Sequence, residues 1–96
     1  AAYPDKQIVI TEAGWATQSN GRGIEPSNVS ESFQKQYFQQ LMDWAEQEQV
    51  LVYYFEAFDE SWKGSDDPLE PEKHWGLYKT NRRPKQAMYR PLRRAV

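Results

Sequence analysis

The 96-residue chain is predicted to be α/β in class, a strand–helix–strand unit whose two strands run parallel. Three observations predict this. Two short runs rich in β-branched and aromatic residues lie at 6–11 and 50–55, and between them residues 30–49 repeat apolar side chains at intervals of three and four. A whole helix between two strands is the connection that parallel pairing requires.

The first strand is Lys6-Gln7-Ile8-Val9-Ile10-Thr11, apolar through its centre and expected to be buried on both faces, as in a parallel sheet. Residues 18–23 (Gln-Ser-Asn-Gly-Arg-Gly) cluster turn formers, and Pro26-Ser27-Asn28 continues the loop. The helix follows over 30–49. Phe33, Tyr37, Phe38, Leu41, Met42, Trp44 and Ala45 form its apolar face, an aromatic stripe expected to be core. Asn28 with Glu31, or Ser27 or Ser30, supplies capping chemistry for its start. The second strand is Val50-Leu51-Val52-Tyr53-Tyr54-Phe55. Residues 56–80 show no periodicity, and a loop of that length with so many aromatics is expected to be functional rather than disordered. A final short helix is predicted over 85–89, limited by Pro91.

Composition narrows the function. The net charge of −2 excludes general affinity for nucleic acid or an anionic membrane as the main activity. Charge is nevertheless segregated: residues 56–72 hold seven acidic side chains against Lys63, whereas 79–94 are basic without an acidic residue. The tail bearing Arg82, Arg83, Lys85, Arg90, Arg93 and Arg94 reads as a solvated helix or terminus, because Tyr89 alone is interleaved to stack bases. The absence of cysteine removes disulfides and thiolate metal sites. No apolar run approaches the roughly 20 residues of a membrane span. The chain opens at Ala1-Ala2 without Met and enters a strand almost at once, so it is expected to be part of a longer chain, a single partial domain over 1–96.

In α/β barrels the working residues sit at the C-terminal ends of the strands and in the loops beyond. Glu12 holds that place after the first strand, and Glu56, Asp59 and Glu60 after the second. A carboxylate there is ordinarily a cap or a solvated turn residue. The neighbours argue otherwise: Ala13-Gly14 leaves little bulk beside Glu12, and Trp15 offers a flat apolar face to a sugar ring. Four Trp with several Phe and Tyr near carboxylates make a composition suited to a sugar cleft more than to a metal or phosphate site. His74, the sole histidine, reads as a packed loop residue, and Asp66-Asp67 as solvated rather than as calcium ligands.

Ile10-Thr11-Glu12-Ala13-Gly14-Trp15, followed by Phe55-Glu56-Ala57-Phe58-Asp59-Glu60-Ser61-Trp62-Lys63 and then Glu72-Lys73-His74-Trp75-Gly76-Leu77-Tyr78, resembles glycoside hydrolase family 17, the β-1,3-glucanases and β-glucan glucosyltransferases. The two motifs stand in the family's order and separation, and the resemblance runs from about residue 6 to 91. It implies the C-terminal part of a (β/α)8 TIM barrel: strand seven, helix seven, strand eight and helix eight. It further implies Glu12 as the catalytic nucleophile, with Glu60, Lys63 and Glu72 as the charged group beside it. With the aromatic and acidic neighbours, the substrate-binding candidates are Trp15, Glu56, Phe58, Glu60, Trp62, Lys63 and Glu72. Lys63 near Glu12 and Glu60 would favour their ionised forms.

The implied reaction is retaining hydrolysis or transglycosylation of β-1,3-glucan, or of β-1,6-glucan, with no metal and no cofactor. The family's acid/base Glu lies on the fourth strand, outside this chain, so the segment alone is expected to be inactive. The alternative is a non-catalytic carbohydrate-binding or structural piece that self-associates. Expected partners are a β-glucan oligosaccharide or polysaccharide and either the remaining barrel or a second copy. The implied location is secreted, periplasmic or cell-envelope. A non-proline cis peptide bond is implied between Phe55 and Glu56. Ala16 stands where plant members usually have Pro, and Glu56 where they have a small apolar residue; both departures resemble a bacterial or fungal branch.

Overall fold

The computed structural model describes residues 4–89. Strand β1 (Val9–Ala13), helix α1 (Glu31–Glu48) and strand β2 (Leu51–Tyr54) form a parallel strand–helix–strand unit. Val9 pairs with Leu51 and Ile10 with Val52, but Ala13 pairs with Tyr54. Three steps along β1 therefore match two along β2, so β1 carries one extra residue at Thr11-Glu12. A bulge of this kind bends the strand and re-aims a side chain, and such bulges concentrate beside active sites.

Ser30 starts α1: its hydroxyl oxygen accepts the Phe33 N–H at 2.9 Å. Phe33 falls where a capping box would place its Glu, so Ser30 works without a reciprocal partner. At the other end Gln49 turns left-handed (φ 54°), and the Gln49 and Val50 N–H groups donate to the Glu46 and Ala45 carbonyls. That is the closure glycine normally supplies, because a Cβ is strained at positive φ. Relief of about 1–2 kcal/mol of left-handed strain, set against glycine's entropic cost of about 0.5–1 kcal/mol, leads Gln49→Gly to add about 0.5–1 kcal/mol of stability, read as a shift of the denaturant midpoint.

Two expectations about packing need correction. The strands are not covered on both faces: Ile8 and Tyr53 are 59% and 58% exposed, with Val9 and Leu51 also open. The helix stripe is only partly core, since Phe33 and Trp44 are exposed while Tyr37, Phe38 and Leu41 are half-buried. One helix against two strands can cover one side of the pair and no more. Aromatic contacts organise that side, with Phe38 edge-on to Tyr54 at 5.2 Å and Trp15 against Tyr37 at 5.1 Å.

The most buried region lies beyond the strand ends and is largely polar. Ala16, Thr17, Ser19, Gln34, Asp59, Lys73, Leu77 and Lys85 are buried there. Residues 75–78 run back alongside 56–59: the Glu56 N–H donates to the Trp75 carbonyl, Leu77 to Glu56, Tyr78 to Ala57 and Asp59 to Tyr78. The aperiodic loop is thus an ordered backbone assembly in which 56–59 and 75–78 satisfy much of each other's hydrogen bonding.

The predicted final helix is instead a single 3-10 turn, Gln86–Met88, after which Tyr89 is extended. Pro84 and Pro91 bracket too few residues to repay helix nucleation. In the basic stretch Lys85 is buried rather than solvated, with its side chain 2% exposed. Arg90, Arg93, Arg94 and the limiting Pro91 lie outside the described residues. No helix among the described residues is long and apolar enough to cross a membrane.

Candidate active site

Glu12 stands on the β1 bulge, exposed, at the rim of a cavity of about 450 Å³ lined also by Ala13, Gly14, Tyr37, Phe55, Glu72 and Trp75. Gly14 is required here, because a Cβ would collide with the Phe55 carbonyl oxygen and crowd the Trp75 ring. Trp75 packs edge-on to Phe55 with centroids 6.0 Å apart. The Phe55-Glu56 peptide bond is cis. The cavity therefore combines two carboxylates, Glu12 and Glu72, with flat aromatic walls, a pairing suited to a pyranose ring with its apolar C–H faces and polar edge.

The expected charged group divides in two. Glu72 shares the cavity with Glu12, whereas Lys63 Nζ bonds Glu60 Oε2 at 2.7 Å and Glu56 Oε1 at 2.9 Å. Among the described residues the ion pairs of Lys63 are with these two and not with Glu12 or Glu72. Lys63 remains one ring away from the cavity, its ammonium 4.7 Å from the Phe55 centroid.

Burial pushes the Glu56 carboxyl up, with Lys63 opposing, and its Oε2 is buried without a hydrogen-bond partner. Glu60 is held below the usual carboxylate range, chiefly by the Lys63 hydrogen bond and then by Glu56. Lys63 is raised by Glu60 and Glu56 in turn. One carboxyl of the pair is thereby biased towards its neutral form and the other towards its anion, as expected when two carboxylates share one cation. Since Lys63 is the largest cause of the Glu60 shift, Lys63→Ala is expected to let Glu60 take its proton at higher pH. A side-chain carbon NMR titration reads this directly; an unmoved Glu60 titration contradicts it.

The aromatic candidates separate likewise. The Trp15 indole N–H donates to the Asn28 carbonyl at 2.9 Å, which fixes the ring in the loop after β1. The Arg82 guanidinium lies 3.9 Å from the Phe58 centroid, and Tyr78 packs on the same residue at 5.7 Å, so part of Phe58 is already occupied. Trp62 is 74% exposed. His74 is packed in the loop, its Nε2 2.6 Å from the Pro68 carbonyl. Among the described residues no group of three or more His, Cys, Asp or Glu is placed to hold a metal ion.

Residues that sequence reasoning passed over complete the cavity and its support. Trp75, Phe55 and Tyr37 form walls. Gln34, fully buried, donates from Nε2 to the Trp15 carbonyl at 3.1 Å and the Gly76 carbonyl at 2.8 Å, so α1 ties the loops beyond both strands. Its signal was present: an amide three and four residues before Tyr37 and Phe38 lies on the apolar face.

The profile of glycosyl hydrolases family 17 matches residues 1–89. The chain belongs to glycosyl hydrolases family 17. Among family 17 relatives and related structures, a glucan 1,3-beta-glucosidase of Arthroderma benhamiae is 34% identical over 85 residues, 81% of this chain and 26% of that one. An endo-laminarinase from Formosa Hel1_33_131 superposes with a TM-score of 0.75 at 29% identity, over 81% of this chain and 20% of that one. An active-site mutant of the Rhizomucor miehei beta-1,3-glucanosyltransferase, in complex with laminaritriose, gives a TM-score of 0.71 at 25% identity, over 88% and 29% of the two chains. This family 17 chain spans about a quarter of the length of such relatives.

Proposed function

We propose that this chain is the strand-seven to strand-eight part, one partial domain, of a (β/α)8 barrel that cleaves or transfers β-1,3-linked glucan with retention, and that Glu12 is its nucleophile. The observation that carries the reading is the bulge that sets Glu12 on an aromatic-walled cavity. A retaining glycosidase needs an ionised nucleophile and a protonated acid about 5–5.5 Å away. Glu12 attacks the anomeric carbon as the acid protonates the departing oxygen; water or an acceptor sugar then opens the glycosyl-enzyme. The acid belongs to another strand of the barrel, and no described carboxylate is assigned to it.

Trp75, Phe55, Trp15 and Trp62 would receive sugar faces, Glu72 would bind hydroxyls, and the Glu56–Lys63–Glu60 group would set charge beside the cavity. The substrate class is supported by the relatives' names, among them a laminaritriose complex. A secreted, periplasmic or cell-envelope location goes with this reading.

The exposed sheet residues Ile8, Val9, Leu51 and Tyr53 favour a second reading for the isolated chain, a structural piece that self-associates. The isolated 96-residue chain is expected to form oligomers by sedimentation and to release no sugar from laminari-oligosaccharides, while the longer enzyme releases it. Sugar release by the isolated chain, or a compact monomer at high concentration, contradicts this.

A further inference from the structure

Behind the cavity Lys85 is placed where a lysine is costly. Its side chain is 2% exposed, and Nζ donates to Thr17 Oγ1 at 2.8 Å, Asp59 Oδ1 at 2.8 Å and the His74 carbonyl at 3.4 Å, which uses all three protons. Burial lowers the lysine's pKa and Asp59 opposes this. A buried ion pair is weak support for stability, since apolar residues of similar volume often serve as well. The pair therefore needs another reason, and Asp59 supplies it.

Asp59 Oδ1 also accepts the Gly76 N–H at 2.8 Å in a buried bond. Gly76 fits because it has no side chain: a Cβ would run into the backbone of Phe58 and Asp59. Trp75, the preceding residue, walls the cavity that Glu12 lines. Glu60, the residue after Asp59, pairs with Lys63. One buried contact thus joins the loop after β1 through Thr17, the loop after β2 through Asp59 and Gly76, and the C-terminal stretch through Lys85. Lys85 itself does not line the Glu12 cavity.

We propose that Asp59 is a positioning residue whose carboxylate clamps the Trp75-Gly76 backbone, and with it the cavity wall, in working geometry, and that Lys85 supplies the counter-charge this buried carboxylate needs. The proposal rests on the reading of the Glu12 cavity as the active site. Lys85 neutralises the buried Asp59 carboxylate; Asp59 fixes the Gly76 N–H; Gly76 sets Trp75.

Double variants of the longer enzyme test it, compared by thermal melting and by kcat and KM on laminari-oligosaccharides. D59N/K85M removes both charges and keeps an acceptor for the Gly76 N–H, so kcat/KM is expected to stay within about threefold of the parent. D59L/K85M removes the acceptor as well. It is expected to fold and to lose at least about tenfold in kcat/KM, with kcat itself reduced. D59A/K85M, read the same way, covers the case in which leucine does not fit.

Parent-like activity in a folded D59L/K85M or D59A/K85M overturns the clamp. So does a D59N/K85M variant as impaired as these. If neither apolar variant folds while D59N/K85M does, the pair is structural and the proposal falls. An unmutated enzyme without glucanase activity would instead overturn the functional reading, which separates the two failures.

Discussion

Glu12→Gln in the longer enzyme is expected to reduce turnover by about 10⁴-fold or more while leaving glucan binding nearly unchanged. The amide keeps the shape and hydrogen-bonding reach of the carboxylate at the bulge, but it cannot form the glycosyl-enzyme. Removing a nucleophile costs far more than removing a binding contact, because the lost interaction exists only along the reaction path. Steady-state kinetics with a parallel binding titration checks this. A variant that keeps a tenth of parental kcat, or that loses binding with turnover, contradicts the role.

The second large effect is expected at Gly14, two residues after Glu12 and lining the same cavity. The Phe55 N–H donates to the Ala13 carbonyl at 2.8 Å, which draws the Phe55 carbonyl over Gly14. In Gly14→Ala the new methyl meets that carbonyl oxygen, a backbone atom, and Trp75 beyond it. Neither neighbour is the free end of a flexible side chain, so the strand ends must separate. About 3 kcal/mol of stability should be lost, at the upper end of ordinary overpacking. Displacing the Trp75 wall by about 1 Å should cost a further 10²-fold or so in kcat/KM. Thermal melting and kinetics on the variant read the two effects separately, and parental values in both would show that the contact yields freely.

The strand–helix–strand order was legible because each element has a one-dimensional signature. Val9 and Ile10, and Leu51 and Val52, mark strands, and the spacing from Tyr37 through Leu41 to Ala45 marks the helix between them. Of Ser27, Asn28 and Ser30, local chemistry selects Ser30 as the cap. What escaped the sequence depends on partners distant along the chain. A lysine in a basic stretch reads the same whether it is solvated or buried, and only the return of residues 75–85 onto the loop after β1 places Lys85 on Asp59 and Thr17.

The bulge at Glu12 depends on the register between two strands, which neither strand carries alone. An apolar β-branched run predicts burial on both faces because it describes a strand in a whole sheet, whereas among the described residues Ile8 and Tyr53 meet no second layer. The division of the charged group, with Glu72 beside Glu12 but Lys63 bound to Glu56 and Glu60, reflects how the loop after β2 folds back, and residue spacing does not encode it.

The most direct test of the central claim is covalent. A 2-fluoro glucosyl donor with a good leaving group, incubated with the longer enzyme, should stall at the glycosyl-enzyme, and peptide mass analysis then reads which carboxylate holds the sugar. Glu12 on the β1 bulge is expected to carry the label. A label on Glu56, Glu60 or Glu72 instead would contradict the assignment.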